Sequence, residues 1–225
     1  FFPLMNDAYA RAGLYFQKET PADAIIANWW DLGYIWQYYA NRATMLDSGL
    51  FETNRLYWIS RAFTTDDEKL SKSILRMLSC YGDYSANTII SSGKTSGEAV
   101  DFIEKLILMP KNDAFKVLKA PHFFHNITSK DIVGKSEASQ ITMFLNTTHC
   151  SPRETYVVLS EDDRTKISVM KNHADWDFNL GTARVVIKDL AQSQAVIALI
   201  NKFNMSESDA TELYFRAKEF KDETK

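Results

Sequence analysis

Among the 225 residues, Trp29-Trp30-Asp31-Leu32-Gly33 concentrates the side chains best suited to polar recognition. Two indole N–H groups donate and cannot accept, while one ionised carboxylate accepts and cannot donate. A hydroxyl carries one donor and two acceptor lone pairs, so this set is its complement, whereas an amine or an acid leaves it half-paired. A site that buries such groups rejects a ligand lacking the hydroxyl by about 10⁴-fold, because its own polar atoms go unpaired. Three consecutive side chains cannot converge from the middle of a helix or a flat strand. They need a sharp turn, and Gly33 can adopt the backbone angles that would make one. Far downstream, Asp163, Lys166 and Met170 stand at i, i+3 and i+7, which places them on one helix face. The competing readings are structural: a Trp pair beside a strand is ordinarily core, and an exposed Asp–Lys helical pair contributes only ~0.2–0.5 kcal/mol.

The elements that must position these residues follow from periodicity and caps. Asn6 or Asp7 caps a helix reaching about Lys18, and Thr20-Pro21-Ala-Asp23 ends it. Ala24-Ile25-Ile26-Ala27 is an apolar run suited to a buried strand, and Tyr34 to Arg42 reads as a helix after the turn. Asp66-Asp67-Glu68 opens a helix whose stripe is Ile74, Leu75, Met77 and Leu78. Ser91 to Gly97 is a flexible loop without phosphate-loop spacing, and Glu98 to Leu108 is helical. Tyr156 to Leu159 forms a second strand, and Asp162 or Asp163 opens a helix reaching about Asn172. Ser206-Glu-Ser-Asp209 has the form of a capping box before a last amphipathic helix through Phe220. The expected fold is helix-rich α/β, a mainly helical core with a few short strands.

Composition bounds the partners. A chain with 45% hydrophobic residues can bury one substantial core, and a net charge of −3 provides no basic field, so no nucleic acid is expected. No run of apolar residues is long enough to span a bilayer. The opening Phe1-Phe-Pro3-Leu-Met5 reads as the cut end of something longer. Cys80 and Cys150 are open to two readings, free thiols or a disulfide. His122, His125, His149 and His173 lack ligand spacing with one another, and no metal site or nucleophile–base pair is assigned in this chain.

The chain resembles the C-terminal soluble domain of the oligosaccharyltransferase catalytic subunit. Trp29-Trp30-Asp31-Leu32-Gly33 matches that family's Trp-Trp-Asp-Tyr-Gly signature, departing from it at Leu32. Thr20-Pro21-Ala-Asp23-Ala24 precedes it, and Asn41-Arg42-Ala-Thr44-Met-Leu-Asp47 is similar to the family's Asn-Arg-x-Thr-x-x-Asp stretch. Asp163-Arg-Thr-Lys166-Ile-Ser-Val-Met170 fits the second signature, Asp-x-x-Lys-x-x-x-Met/Ile. The resemblance runs from about Asp7 to Thr182, dividing the chain into a recognition core at 1–182 and a helical extension at 183–225.

The resemblance implies that Trp29, Trp30, Asp31, Leu32, Gly33, Asp163, Lys166 and Met170 bind the acceptor sequon Asn-x-Ser/Thr of a polypeptide. It also implies a lipid-linked oligosaccharide as donor, bound by a membrane region outside this chain. The divalent metal, Mg or Mn, would also be held outside it, with no catalytic residue here and no transfer by this chain alone. The domain would face the periplasm, the cell exterior or the lumen. The alternatives are a non-catalytic carbohydrate- or peptide-binding module sharing the fold, and a lipid-sugar glycosyltransferase of related architecture. Asn126-Ile-Thr128, Asn146-Thr-Thr148 and Asn204-Met-Ser206 are sequons in the chain itself.

Overall fold

The computed structural model describes residues 6–50, 54–90, 94–119 and 134–219. Its chain order begins with α1 (Asp7–Glu19), β1 (Ile25–Ala27), α2 (Gly33–Ala40) and β2 (Ala43–Thr44). Five helices follow: α3 (Asn54–Thr64), α4 (Glu68–Tyr81), α5 (Tyr84–Ile90), α6 (Ser96–Leu108) and α7 (Lys111–Leu118). Then come α8 (Glu137–Thr148), β3 (Thr155–Val157), α9 (Glu161–Thr165) and α10 (Ile167–Ala174). The last three helices are α11 (Phe178–Ile187), α12 (Gln192–Phe203) and α13 (Glu207–Glu219). This is the helix-rich α/β architecture expected, with one small sheet. His122-x-x-His125 and the sequon at Asn126 lie outside the described residues.

The caps explain several helix starts. Asn6 Oδ1 accepts from the backbone N–H groups of Ala8 and Tyr9, and Asp67 Oδ1 from those of Lys69 and Leu70. A reciprocal Thr95–Glu98 capping box opens α6 two residues earlier than periodicity suggests. At the other end of α2, Asn41 takes a left-handed φ of 48° and stops the helix short of Arg42.

The sheet has order β2-β1-β3 and both pairings are parallel. Ile26 of the central strand packs with Leu32, Trp36 and Ala40, under Tyr9, Ala12 and Phe16 of α1. Its neighbours Ile25 and Ala27 belong instead to the main core. Successive side chains of a strand point to opposite faces, so a strand covered on both sides must be apolar throughout. The main core gathers Trp58 and Ile59 from α3, Ile74 and Met77 from α4, Ile103 and Ile107 from α6, and Phe144 from α8. Burying each such side chain contributes about 1.5–3 kcal/mol.

Cys80, on the last turn of α4, and Cys150, just beyond α8, form a disulfide with Cα atoms 5.9 Å apart. The open question of the cysteines is thereby answered. A second apolar cluster is built from α11, α12 and α13, with Ala183, Ala195, Leu199 and Ala210 fully buried. Leu180 and Ala183 both belong to it, so α11 crosses the division expected at residue 182. Phe178 joins the two bodies, its ring 4.8 Å edge-on from Tyr57 of α3.

Candidate functional site

The site begins where β1 ends. Asn28 is 1% exposed, and its amide donates to the carbonyls of Trp29 at 2.6 Å and Leu46 at 3.0 Å. The chain then turns through a single 3-10 turn, Trp30–Leu32, and enters α2 at Gly33. The turn sends its side chains in different directions. Trp29 is buried in the main core, Leu32 joins the cluster under α1, and Trp30 packs half-buried against the main core.

The expectation that Gly33 supplies unusual backbone angles is corrected by the structure. Its φ of −55° and ψ of −51° are ordinary helical values. What matters is space: a Cβ there would lie 2.4 Å from the Leu46 carbonyl oxygen and 2.6 Å from Asp47 Cα. Glycine lets α2 start flush against the segment carrying Asp47. That segment is tied down in turn, since Asp47 accepts from Gln37 Nε2 at 2.9 Å and from the Gly49 N–H at 2.8 Å.

Arg42 secures the same layer. Its guanidinium donates to Gln17, Thr20, Ala40 and Asn41 carbonyls and to the Thr20 hydroxyl, binding the end of α1 to the end of α2. The Asn41-Arg42-Ala-Thr44-Met-Leu-Asp47 stretch is therefore a brace behind the turn.

The second constellation follows β3 as the first follows β1. The expected single helix from Asp162 or Asp163 to Asn172 is two short ones, α9 and α10, with Lys166 at their junction at φ −100° and ψ 2°. Asp163 is 3% exposed, and its Oδ2 accepts from the backbone N–H and hydroxyl of Ser160 at 2.7 and 2.8 Å. The Ser160 hydroxyl accepts the Asp163 N–H in return. Asp163 thus closes a capping box that fixes where α9 starts and hence where Lys166 stands three residues later. Met170 is buried in the same core as Trp29.

Residues 135 positions apart now meet. Because β1 and β3 are adjacent and parallel, both connections leave the same edge of the sheet, the carboxyl ends where open α/β sheets place their ligands. Lys166 Nζ pairs with Asp31 Oδ2 and also with Asp162 Oδ2. Burial alone pulls the Lys166 pKa down, but its hydrogen bonds to Asp162 and Asp31 outweigh that and hold it above its ordinary value. The Asp31 side chain is only 11% exposed, and its other oxygen, Oδ1, is buried with no protein partner.

Three participants escape sequence reasoning. Asp162 stands four residues before Lys166, a readable acid–base spacing, yet the sequence marks it only as a helix start. His173 lies with its ring centroid 6.3 Å from that of Trp29, and burial lowers its pKa. Asn28 carries no signal at all, since nothing local distinguishes it from any loop asparagine.

The family model of the STT3/PglB/AglB core domain matches residues 22–179. The chain is 29% identical over 188 residues to a dolichyl-phosphooligosaccharide-protein glycotransferase of Methanococcus voltae, covering 81% of this chain and 19% of that protein. It is 25% identical over 183 residues to the protein of that name from Methanocaldococcus jannaschii, covering 79% and 18%. A rice dolichyl-diphosphooligosaccharide–protein glycosyltransferase subunit STT3B is 27% identical over 122 residues, covering 53% and 16%. The chain spans about a fifth of the length of the first two relatives. No solved structure matches it. The matched stretch takes in all three strands, the Trp-Trp-Asp turn, Lys166 and Met170, and on that ground the chain belongs to the STT3/PglB/AglB core-domain family.

Proposed function

We propose that this chain is the acceptor-binding part of an oligosaccharyltransferase, which seats the Ser or Thr hydroxyl of an Asn-x-Ser/Thr sequon at the Trp29-Trp30-Asp31 turn. The observation that supports this most is the state of the Asp31 carboxylate. One oxygen is engaged by Lys166, and the other is buried and unpartnered. A buried acceptor left without any donor costs about 1–3 kcal/mol, so Oδ1 calls for a hydrogen-bond donor from outside the protein, and a sequon hydroxyl is one. The hydroxyl would donate to Asp31 Oδ1, Trp29 and Trp30 would donate to its oxygen, and Lys166 would hold the Asp31 carboxylate in place through Oδ2.

The chemistry of transfer is assigned to the rest of the full-length protein. No three His, Cys, Asp or Glu side chains among the described residues are grouped to hold a metal. The Mg or Mn ion, the lipid-linked oligosaccharide and the membrane region all belong to that remainder. No described helix is long and apolar enough to cross a membrane. This domain would work on the extracytoplasmic face, where the acceptor polypeptides are.

Asp31→Asn in the full-length enzyme tests the reading. A hydrogen bond to a charged group contributes ~1.5–3 kcal/mol, so kcat/KM for a Thr sequon peptide should fall by roughly ten- to a hundredfold. A peptide with Ala in place of Thr should lose far less from the same change. Equal losses with both peptides would make Asp31 a structural turn residue and end the acceptor-pocket reading.

A further inference from the structure

Lys166 is shared. Its ammonium bridges Asp31 Oδ2 and Asp162 Oδ2, and the three side chains are 27%, 11% and 44% exposed respectively. Two carboxylates and one ammonium sum to one negative charge, whereas Asp31 and Lys166 alone would cancel. A second carboxylate on the same ammonium offsets part of the ammonium's pull on Asp31, because the field at Asp31 is the sum of both charges. Asp31 needs its negative charge undiminished on Oδ1 if it is to accept a strong hydrogen bond from a neutral hydroxyl.

We propose that Asp162 is a positioning residue for the acceptor pocket. It holds the Lys166 ammonium off-centre, so that Asp31 is anchored by the lysine without being neutralised by it. This rests on the acceptor-pocket reading above. The structure gives Asp162 the means: it sits on the first turn of α9, whose start is locked by the Ser160–Asp163 capping box, so its carboxylate is carried on a fixed backbone. Lys166 occupies the junction of α9 and α10, one turn further on. Asp162 acts only through Lys166 and need not touch the acceptor.

Acceptor kinetics of the full-length enzyme carrying Asp162→Asn provide the test, run beside Asp31→Asn with Thr and Ala peptides. Losing the second carboxylate leaves Lys166 wholly to Asp31, so KM for the Thr peptide should rise about three- to tenfold while kcat changes by less than about twofold. The Ala peptide should barely respond, and Asp162→Glu should restore most of the loss. Asp162→Ser, also at home in a helix start, is the second uncharged variant should the Asn form fold poorly. An unchanged Thr-peptide KM in both uncharged variants, with Asp31→Asn still selective for the Thr peptide, overturns this inference and leaves the pocket standing. A loss that is equal for the two peptides, or that Glu fails to restore, marks Asp162 as merely structural. If Asp31→Asn itself shows no peptide selectivity, the pocket reading and this inference fall together.

Discussion

The region around the sheet and the three C-terminal helices are held together by different kinds of contact. Around the sheet the decisive links are long in sequence: Lys166 to Asp31, Arg42 to Gln17 and Thr20, Cys80 to Cys150. Many are polar and buried, and each is defined by direction as well as proximity. The C-terminal helices are joined by short turns, with Asn204 in the left-handed conformation at the end of α12 and Ser206 accepting the Asp209 N–H at the start of α13. Their cluster is almost wholly aliphatic, and an ion pair across it, Arg216 to Asp177, is largely exposed and so contributes little. The family match stops at residue 179, close to where the second cluster begins. A directional polar site needs long-range bracing, while a supporting helical unit can be assembled from local contacts alone.

The comparison can be broken first at the disulfide. Cys80 and Cys150 are separated by 70 residues, so opening that loop in the unfolded chain should cost about 4 kcal/mol of stability, measured by urea unfolding of a Cys80→Ser, Cys150→Ser variant. Hydrogen exchange should show the loss in α4 and α8 and leave α12 protected. Next comes Gly33→Ala, whose new methyl meets backbone at 2.4 Å and should cost about 3 kcal/mol, with acceptor binding lost alongside. Stability equal to wild type there would mean the approach of α2 to Asp47 is not a constraint.

The opposite dissection uses Leu199, fully buried in the C-terminal cluster. Leu199→Ala should cost about 2–3 kcal/mol, with exchange accelerating in α11 to α13 while acceptor KM in the full-length enzyme holds. A shifted KM would show that the two regions are coupled.

The smallest effect is one of pH, and it should be confined to the first region, because no histidine follows His173 in the sequence. Burial lowers the pKa of both His149 and His173. Their unfolded forms take up protons below about pH 6.5 more readily than the folded forms do, so their contribution is complete above that pH and fades as pH falls below it. Melting temperature compared at pH 7.5 and 5.5 should show this drop, and His173→Gln should flatten it in part. A pH response unchanged by that substitution would remove His173 from the account.

Much of this molecule follows from local sequence. Asn6, Asp67, Thr95 and Ser206 start helices because a side-chain oxygen two or three residues ahead of free N–H groups satisfies them wherever the chain lies. Ile25 to Ala27 is a strand because only burial on both faces suits such a run. Trp29, Trp30 and Asp31 stand out by donor and acceptor inventory alone, and Asp163, Lys166 and Met170 by their spacing. What spacing cannot express is which groups meet. The pairing of Lys166 with Asp31 depends on β3 lying beside β1 in parallel, and Cys80 finds Cys150 only because α4 packs on α8. Gly33 is conspicuous in the sequence for one reason and needed in the fold for another, since its backbone angles are common and its neighbour is Asp47, fourteen residues away. Periodicity and caps are properties of a few consecutive residues; a shared ammonium, a closed disulfide and a forbidden methyl are properties of surfaces that exist only once the chain has folded.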